Sequence, residues 1–197
     1  MTSGQWDERY SLRELVWTDR PNQHLVSEVA SLTPGRALDF ACGEGRNAVW
    51  LAAQGWEVTG VDFSPVGIRK AKGLAAERGV DVHWVVADIV DWSPPDGYDL
   101  VIVFYLHLPP ADRRRVLGHA ASALSPGGTL LVVGHALRNL TEGHGGPPTA
   151  EGLYAPADVV ADLPGLVIER ADEVMRPVEV EGETRTAIDV LVRARHP

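Results

Sequence analysis

Three acidic residues close three successive apolar runs: Asp39 in ALDF, Asp62 in VTGVDFS and Asp88 in VVADI. A carboxylate at the buried end of a strand is costly unless something pairs with it. Asp39 is suited to an ammonium group. Asp62 ends the second run, where a carboxylate can accept from two vicinal ribose hydroxyls. Asp88 can accept from an adenine amino group, with the Ile89 N–H reaching a ring nitrogen. The pattern therefore fits a ligand with an ammonium at one end and a nucleoside at the other. The plainer alternatives are that Asp39 caps the N–H groups of the next helix and that Asp88 is an ordinary loop acid.

Between the first two acids lies the turn Ala41-Cys42-Gly43-Glu44-Gly45. Gly43 and Gly45 permit left-handed backbone and close approach to a ligand, although a tight strand-to-helix turn needs no ligand. Gly43 to Ala48 also fits the GxGxxA pattern of dinucleotide sites. Asp39 and Glu44 argue against that reading, because a pyrophosphate would meet their negative charge. The balance points to S-adenosylmethionine, whose methyl group is carried on a sulfonium.

A second set of residues follows the fourth apolar run. Phe104-Tyr105-Leu106-His107 would stand beside the reacting methyl group, and His107 can accept a proton near neutrality. Tyr105 is a companion candidate for catalysis. His135 and His144 are similar candidates on the substrate side. A histidine near a pocket is more often a hydrogen-bonding wall, which is the plainer reading of each. Sulfonium methyl transfer depends first on proximity and orientation, and a base is needed only when the acceptor must lose a proton.

The elements that position these residues alternate. Residues 37–40, 56–63, 81–87, 98–105 and 129–133 read as strands. Helices are expected at 47–54, at 65–78 with Ser64 as N-cap and Gly79 as stop, and at 110–124. Pro21 opens a further helix before them, and residues 125–128 (SPGG) form a turn. A loop at 138–156, rich in Gly, Pro and Thr, precedes a short helix at 157–163. Two last strands, 166–174 and 186–193, flank an EGE turn. This order means an α/β fold with a doubly wound, mostly parallel seven-stranded sheet and an antiparallel C-terminal hairpin.

The 197 residues fit one domain, and 45% hydrophobic with 23% charged residues is an ordinary globular composition. The net charge of −9, from 18 basic and 27 acidic residues, opposes a broad nucleic-acid surface. Cys42 is the sole cysteine, which excludes an internal disulfide and a cysteine zinc site. With no HExxH or facial triad, no metal is expected. The start of the chain lacks signal-peptide character and no apolar run spans a bilayer, so a cytoplasmic location without membrane contact is the expectation. Nothing in the sequence speaks to oligomeric state.

The chain resembles a class I S-adenosylmethionine-dependent methyltransferase, in the branch of tellurite-resistance and thiopurine methyltransferases. The resemblance is carried by WDERY, ALDFACGEGRNAVWLA, VTGVDFS, VVADI, YDLVIVFYLHLPP and LSPGGTLLVVG, over residues 6–134. It implies a Rossmann-like fold with a helical lid at 1–33, a cofactor core at 36–134 and a substrate-side loop at 138–156. By the same resemblance Asp39, Gly43, Asp62 and Asp88 hold the cofactor. Gly45, Asn47, Phe63, Ser64, Ile89 and Phe104 accompany them, and Arg46 meets the cofactor carboxylate. Trp6, Tyr10 and Trp17 would form the lid, placing aromatic faces against the sulfonium, or would simply anchor a terminal helix. Ala41 departs from the family, standing where the first loop glycine is usual. A small-molecule acceptor, such as a chalcogen oxyanion or a thiol, is implied. A non-catalytic cofactor-binding regulatory module is the alternative.

Overall fold

The computed structural model describes residues 2–12, 15–16, 18–95, 97–180 and 182–197. Trp17, named above with the lid, lies outside these residues. The sheet has seven strands: β1 (Arg36–Phe40), β2 (Glu57–Asp62), β3 (His83–Val86), β4 (Tyr98–Phe104), β5 (Leu124–His135), β6 (Val167–Val180) and β7 (Glu183–Arg195). Their spatial order is β3-β2-β1-β4-β5-β7-β6. The first five pair in parallel, whereas β7 runs antiparallel to both β5 and β6.

Seven helices accompany the strands among the described residues: α1 (Ser3–Ser11), α2 (Gln23–Val29), α3 (Arg46–Ala53), α4 (Pro65–Arg78), α5 (Pro110–Ser122), α6 (Asn139–Glu142) and α7 (Pro156–Ala161). The apolar run of β4 is divided between two faces. Leu100, Ile102 and Phe104 pack with Leu25 and Val29 of α2 and Ala48 and Leu51 of α3. Val101 and Val103 pack with Val116 and Leu117 of α5 and Val159 of α7. A strand covered on both faces needs apolar residues at nearly every position, and period-2 side-chain alternation sorts them.

The local signals work well where they are strong. In α4, Ser64 Oγ accepts from Gly67 N at 3.0 Å, Pro65 is the first helical residue, and Gly79 ends the helix at φ 66°. Elsewhere the bounds move. Pro21 does not open α2: Asn22 is the N-cap, its Oδ1 accepting from His24 N at 2.8 Å. The SPGG segment lies within β5 as an irregularity between the pairs Tyr98–Leu124 and Leu100–Thr129. Strands β6 and β7 extend beyond 166–174 and 186–193 because they pair with each other from Val167–Arg195 to Val180–Glu183. Only residues 189–195 of β7 also pair with β5. The remaining ribbon is polar, so no apolar periodicity marks it. No helix among the described residues is long and apolar enough to cross a membrane.

Candidate functional site

Strand order reverses between β1 and β4, which opens a crevice at the carboxyl ends of the strands. The turn after β1 forms its floor and is stitched to β2. Ala41 N and Cys42 N both donate to Val61 O at 2.9 Å. Gly43 N donates to Asp62 Oδ2 at 2.8 Å, and Ser64 N donates to Asp62 Oδ1 at 2.9 Å. Burial pushes the Asp62 pKa up against those N–H groups. Asp62 thus shapes the turn, and its carboxylate stands at the end of β2.

Asp39 is 1% exposed, and its Oδ2 accepts from Ala48 N at 3.1 Å. The helix-capping role is therefore present. It does not satisfy the carboxylate: burial pushes its pKa up to about 7 despite the Ala48 N–H, the Asp62 charge adds to the rise, and Arg46 opposes it. A buried carboxyl in this condition gains from an arriving cation. The residues present therefore fit an ammonium-bearing ligand.

The two loop glycines differ. A Cβ on Gly43, at φ 56°, would stand 2.9 Å from the Tyr10 hydroxyl in the crevice. One on Gly45, at φ 83°, would stand 2.6 Å from Ala71 Cβ and 2.7 Å from the Trp84 ring. Close approach to a ligand was the expectation for Gly45; what presses on it is α4 and β3, so helix packing demands this glycine. Ala41 holds φ 70° and Tyr105 φ 55°, left-handed conformations in non-glycine residues. Cys42 is buried in the turn with its pKa pushed up by burial, in keeping with a packing role.

Helix α1 rests on the crevice. Tyr10 is buried and its ring lies 5.3 Å from that of Trp6. Ser3 Oγ donates to Phe63 O at 3.0 Å, and Asp7 Oδ1 accepts from Ser64 Oγ and from Val66 N. Glu44 fastens the next segment: Val16 N donates to its two oxygens at 3.1 and 2.9 Å, and Lys70 Nζ lies 3.0 Å from Oε1. The sequence presented Glu44 only as a charge hostile to pyrophosphate. Asn47 is also a fastener, its Oδ1 accepting from Asn22 N at 2.9 Å.

Asp88 is exposed after β3 and caps its own turn, Oδ1 accepting from Val90 N at 3.0 Å, while the Ile89 side chain enters the core. Phe104 is buried against the α2 and α3 side of the sheet. Arg46 lies between the β1 turn and a second polar cluster. Burial lowers its pKa, Tyr105 and Asp39 partly restore it, and Arg176 opposes them.

That second cluster centres on Asp189 of β7, which is fully buried. Tyr105 Oη and Arg176 Nε each donate to Asp189 Oδ2 at 2.7 Å. His135 Nδ1 lies 3.2 Å from Oδ1, and His24 Nε2 lies 3.6 Å from Oδ2. Asn22 Nδ2 donates to Tyr105 Oη at 3.2 Å. Burial pushes the Asp189 pKa up, but His135, His24 and Arg176 overcome it and hold the carboxyl well below its usual range. Burial and then the Asp189 charge raise the Tyr105 pKa, so its hydroxyl remains a donor. Tyr105, expected among the catalytic groups, has its hydroxyl engaged by Asp189 and Asn22.

His107 stacks on His135 with ring centroids 5.4 Å apart and planes 10° apart. Its Nδ1 lies 3.1 Å from Gly152 O, in the 138–156 loop. His144 is not brought to the cluster: its backbone N donates to Thr186 O at 3.0 Å and the residue is exposed. Asn22, His24, Arg176 and Asp189 were absent from the sequence reading. Asp189 did carry a signal, since a lone acid inside AIDVLV calls for a partner as Asp39 does. Among the described residues no group of three or more His, Cys, Asp or Glu side chains is placed to hold a metal ion.

Comparison with known proteins shows what the chain is similar to. Residues 37–128, just under half of the chain, match the family described as methyltransferase domain. The chain is 38% identical over 103 residues to demethylmenaquinone methyltransferase of Thermus thermophilus, covering 51% of this chain and 47% of that protein. It spans about half the length, or less, of the first curated relatives it matches. Among solved structures, the protein studied for conversion of a disulfide bond into a thioacetal group during echinomycin biosynthesis superposes with TM-score 0.80 at 24% identity, covering 98% of this chain and 92% of that one. The N-methyltransferase NodS of Bradyrhizobium japonicum, in complex with S-adenosyl-L-homocysteine, gives TM-score 0.75 at 20% identity over 100% of both chains. These structural likenesses establish a Rossmann-like methyltransferase fold.

Proposed function

We propose that this chain is an S-adenosylmethionine-dependent methyltransferase acting on a small-molecule acceptor. The carrying observation is the pair of buried carboxylates, Asp39 and Asp62, set around the Gly43 turn where strand order reverses. Asp39 offers its under-compensated charge to the α-ammonium, and Asp62 offers its remaining lone pairs to the ribose hydroxyls. Asp88 stands at the rim for the adenine. Arg46 is the cation for the methionyl carboxylate. Tyr10 and Trp6 cover this side of the crevice.

The chemistry supplied by the bound donor is a methyl group on a sulfonium, already activated for displacement. The protein then has to orient the acceptor in line with it and exclude water. Val16 and Asn22, pinned by Glu44 and Asn47, stand on one side of the acceptor space. The loop at 138–156 closes another through Gly152 and Gly146. A net charge of −9 suits a small metabolite better than a nucleic acid. The relatives named above support methyl transfer and differ in acceptor.

Calorimetric titration of the purified protein with S-adenosylmethionine and S-adenosylhomocysteine tests this reading. Saturable binding of both is expected. Absence of heat and of thermal stabilisation with either ligand overturns it.

A further inference from the structure

Buried polar side-chain atoms nearly always have a hydrogen-bond partner. Among the described residues five make no well-aligned hydrogen bond: His24 Nε2, His107 Nε2, His119 Nδ1, His135 Nδ1 and Asp189 Oδ1, although His135 Nδ1 and Asp189 Oδ1 face each other at 3.2 Å. His119 lies apart on α5. The other four meet in one cluster at the carboxyl ends of β4 and β5, on the acceptor side of the crevice.

The His135 ring is held on two faces. His107 stacks on one, and Gly146, at φ 83°, lies so near the ring that a Cβ there would stand 2.8 Å from it. One nitrogen, Nδ1, faces the Asp189 carboxylate across 3.2 Å and is sealed from solvent. The His135 side chain is 12% exposed and Asp189 is 0% exposed, so the imidazole stands between the carboxylate's Oδ1 and solvent. The groups facing His135 are Asp189 from β7, Tyr105 and His107 from the segment after β4, His24 from α2 and Arg176 from β6.

We propose that His135 is the proton acceptor in methyl transfer, positioned by Asp189, and that the molecule it serves is a hydroxyl or thiol that arrives still protonated. This rests on the methyl-transfer reading above. A buried carboxylate behind an imidazole fixes the ring proton on Nδ1, leaves Nε2 as a lone pair, and stabilises the imidazolium that forms. Tyr105 and Arg176 hold that carboxylate from its other oxygen.

His107 is the rival base. Burial pushes its pKa down to about 4, although Gly152 O favours the charged form. A group that releases its proton so readily is a poor general base near neutrality. Its Nε2 is buried in the wall without a hydrogen-bond donor among the described residues.

The step balances. The acceptor's proton passes to His135 Nε2 as its oxygen or sulfur bonds to the methyl carbon. The electron pair of the breaking S–CH3 bond stays on sulfur, and the imidazolium later returns its proton to water. An oxyanion acceptor, which arrives without a proton, has no use for this arrangement.

Two measurements test the proposal. The first needs neither donor nor acceptor: NMR of histidine-labelled protein, with His135 assigned by difference from H135Q, reads the tautomer. Nδ1–H is expected in the wild type, with Nε2–H appearing in D189N. The second follows methyl transfer from labelled S-adenosylmethionine to a graded series of phenols and thiols. H135Q should lose on the order of 100-fold or more on acceptors un-ionised at the assay pH and far less on those already ionised. An Nε2–H tautomer in the wild type, or equal losses across the series, overturns the proposal. Wild-type protein that binds the donor yet methylates only pre-ionised acceptors, or none, also overturns it. Failure to bind the donor at all overturns the preceding reading instead.

Discussion

Tyr105 donates its hydroxyl to Asp189 Oδ2 at 2.7 Å across 84 positions of sequence, tying the end of β4 to β7. The bond orders this side of the crevice in two ways. It holds the carboxylate that faces His135, and through Asn22 Nδ2 it draws the start of α2 over the site.

Tyr105→Phe keeps the ring and removes the hydroxyl. Asp189 then loses one donor, and the Asn22 amide loses its acceptor inside the protein. A loss of about 1–3 kcal/mol is expected from leaving such groups unsatisfied, read as a lower urea midpoint with an unchanged slope. No change in midpoint would mean that the bond carries no stability.

Asp39 makes stability depend on pH in a stated direction. Its pKa is about 7 in the folded protein against an ordinary 3.8, so unfolding releases a proton between these values. Stability from this group is greatest below pH 3.8, falls as pH rises to about 7, and is flat above. Full ionisation costs the ligand-free protein roughly 4 kcal/mol as an upper figure. Asp39→Asn should therefore raise Tm at pH 8 more than at pH 5, while abolishing binding of S-adenosylmethionine. Equal shifts at both pH values would remove the assignment.

The same ionisation is linked to the ligand. An ammonium meets the charged form of Asp39, so wild-type affinity should rise from pH 6 to 8 with proton release. Calorimetry in two buffers of different ionisation enthalpy measures that release directly. Buffer-independent heats would count against Asp39 as the ammonium partner.

Ala41 holds φ 70°, a conformation that costs an L-residue about 1–2 kcal/mol. Glycine relieves this cost but is more flexible in the unfolded chain. Ala41→Gly should thus stabilise by about 0.5–1 kcal/mol in equilibrium unfolding. Destabilisation would show that the methyl group contributes packing beyond its strain.

Asp7 joins α1 to Ser64 and Val66 at the start of α4. Asp7→Ala should accelerate tryptic cleavage at Arg9 several-fold and leave the global unfolding midpoint within about 0.5 kcal/mol, the usual range for a surface change. Unchanged cleavage would mean that other contacts seat α1.

Much of the fold was legible because its signals are local. Ser64, Pro65 and Gly79 bound α4 by capping chemistry that acts within a few residues. The apolar run of β4 announced a central strand. The EGE segment marked the hairpin, but the lengths of β6 and β7 were hidden because that ribbon is held by main-chain pairing between polar strands. For the same reason Glu44 was read only as a charge; its clasp on Val16 and Lys70 exists only once α4 is packed beside the turn.

By itself, the sequence determined the turn after β1 and the acids that flank it. The β1 turn and the ends of β1 and β2 lie close together along the chain, so Asp39, Gly43 and Asp62 could be placed by strand and turn rules alone. The second polar cluster, around Asp189, was decided by tertiary structure. Asn22, His24, Tyr105, His135, Arg176 and Asp189 come from separate elements, and an antiparallel β7 brings Asp189 opposite His135. Burial then fixes their charges: the same desolvation that leaves Asp39 short of a partner is overcome at Asp189 by converging donors. Local pattern encodes where a strand ends, whereas the company a buried charge keeps is set only when the layers close.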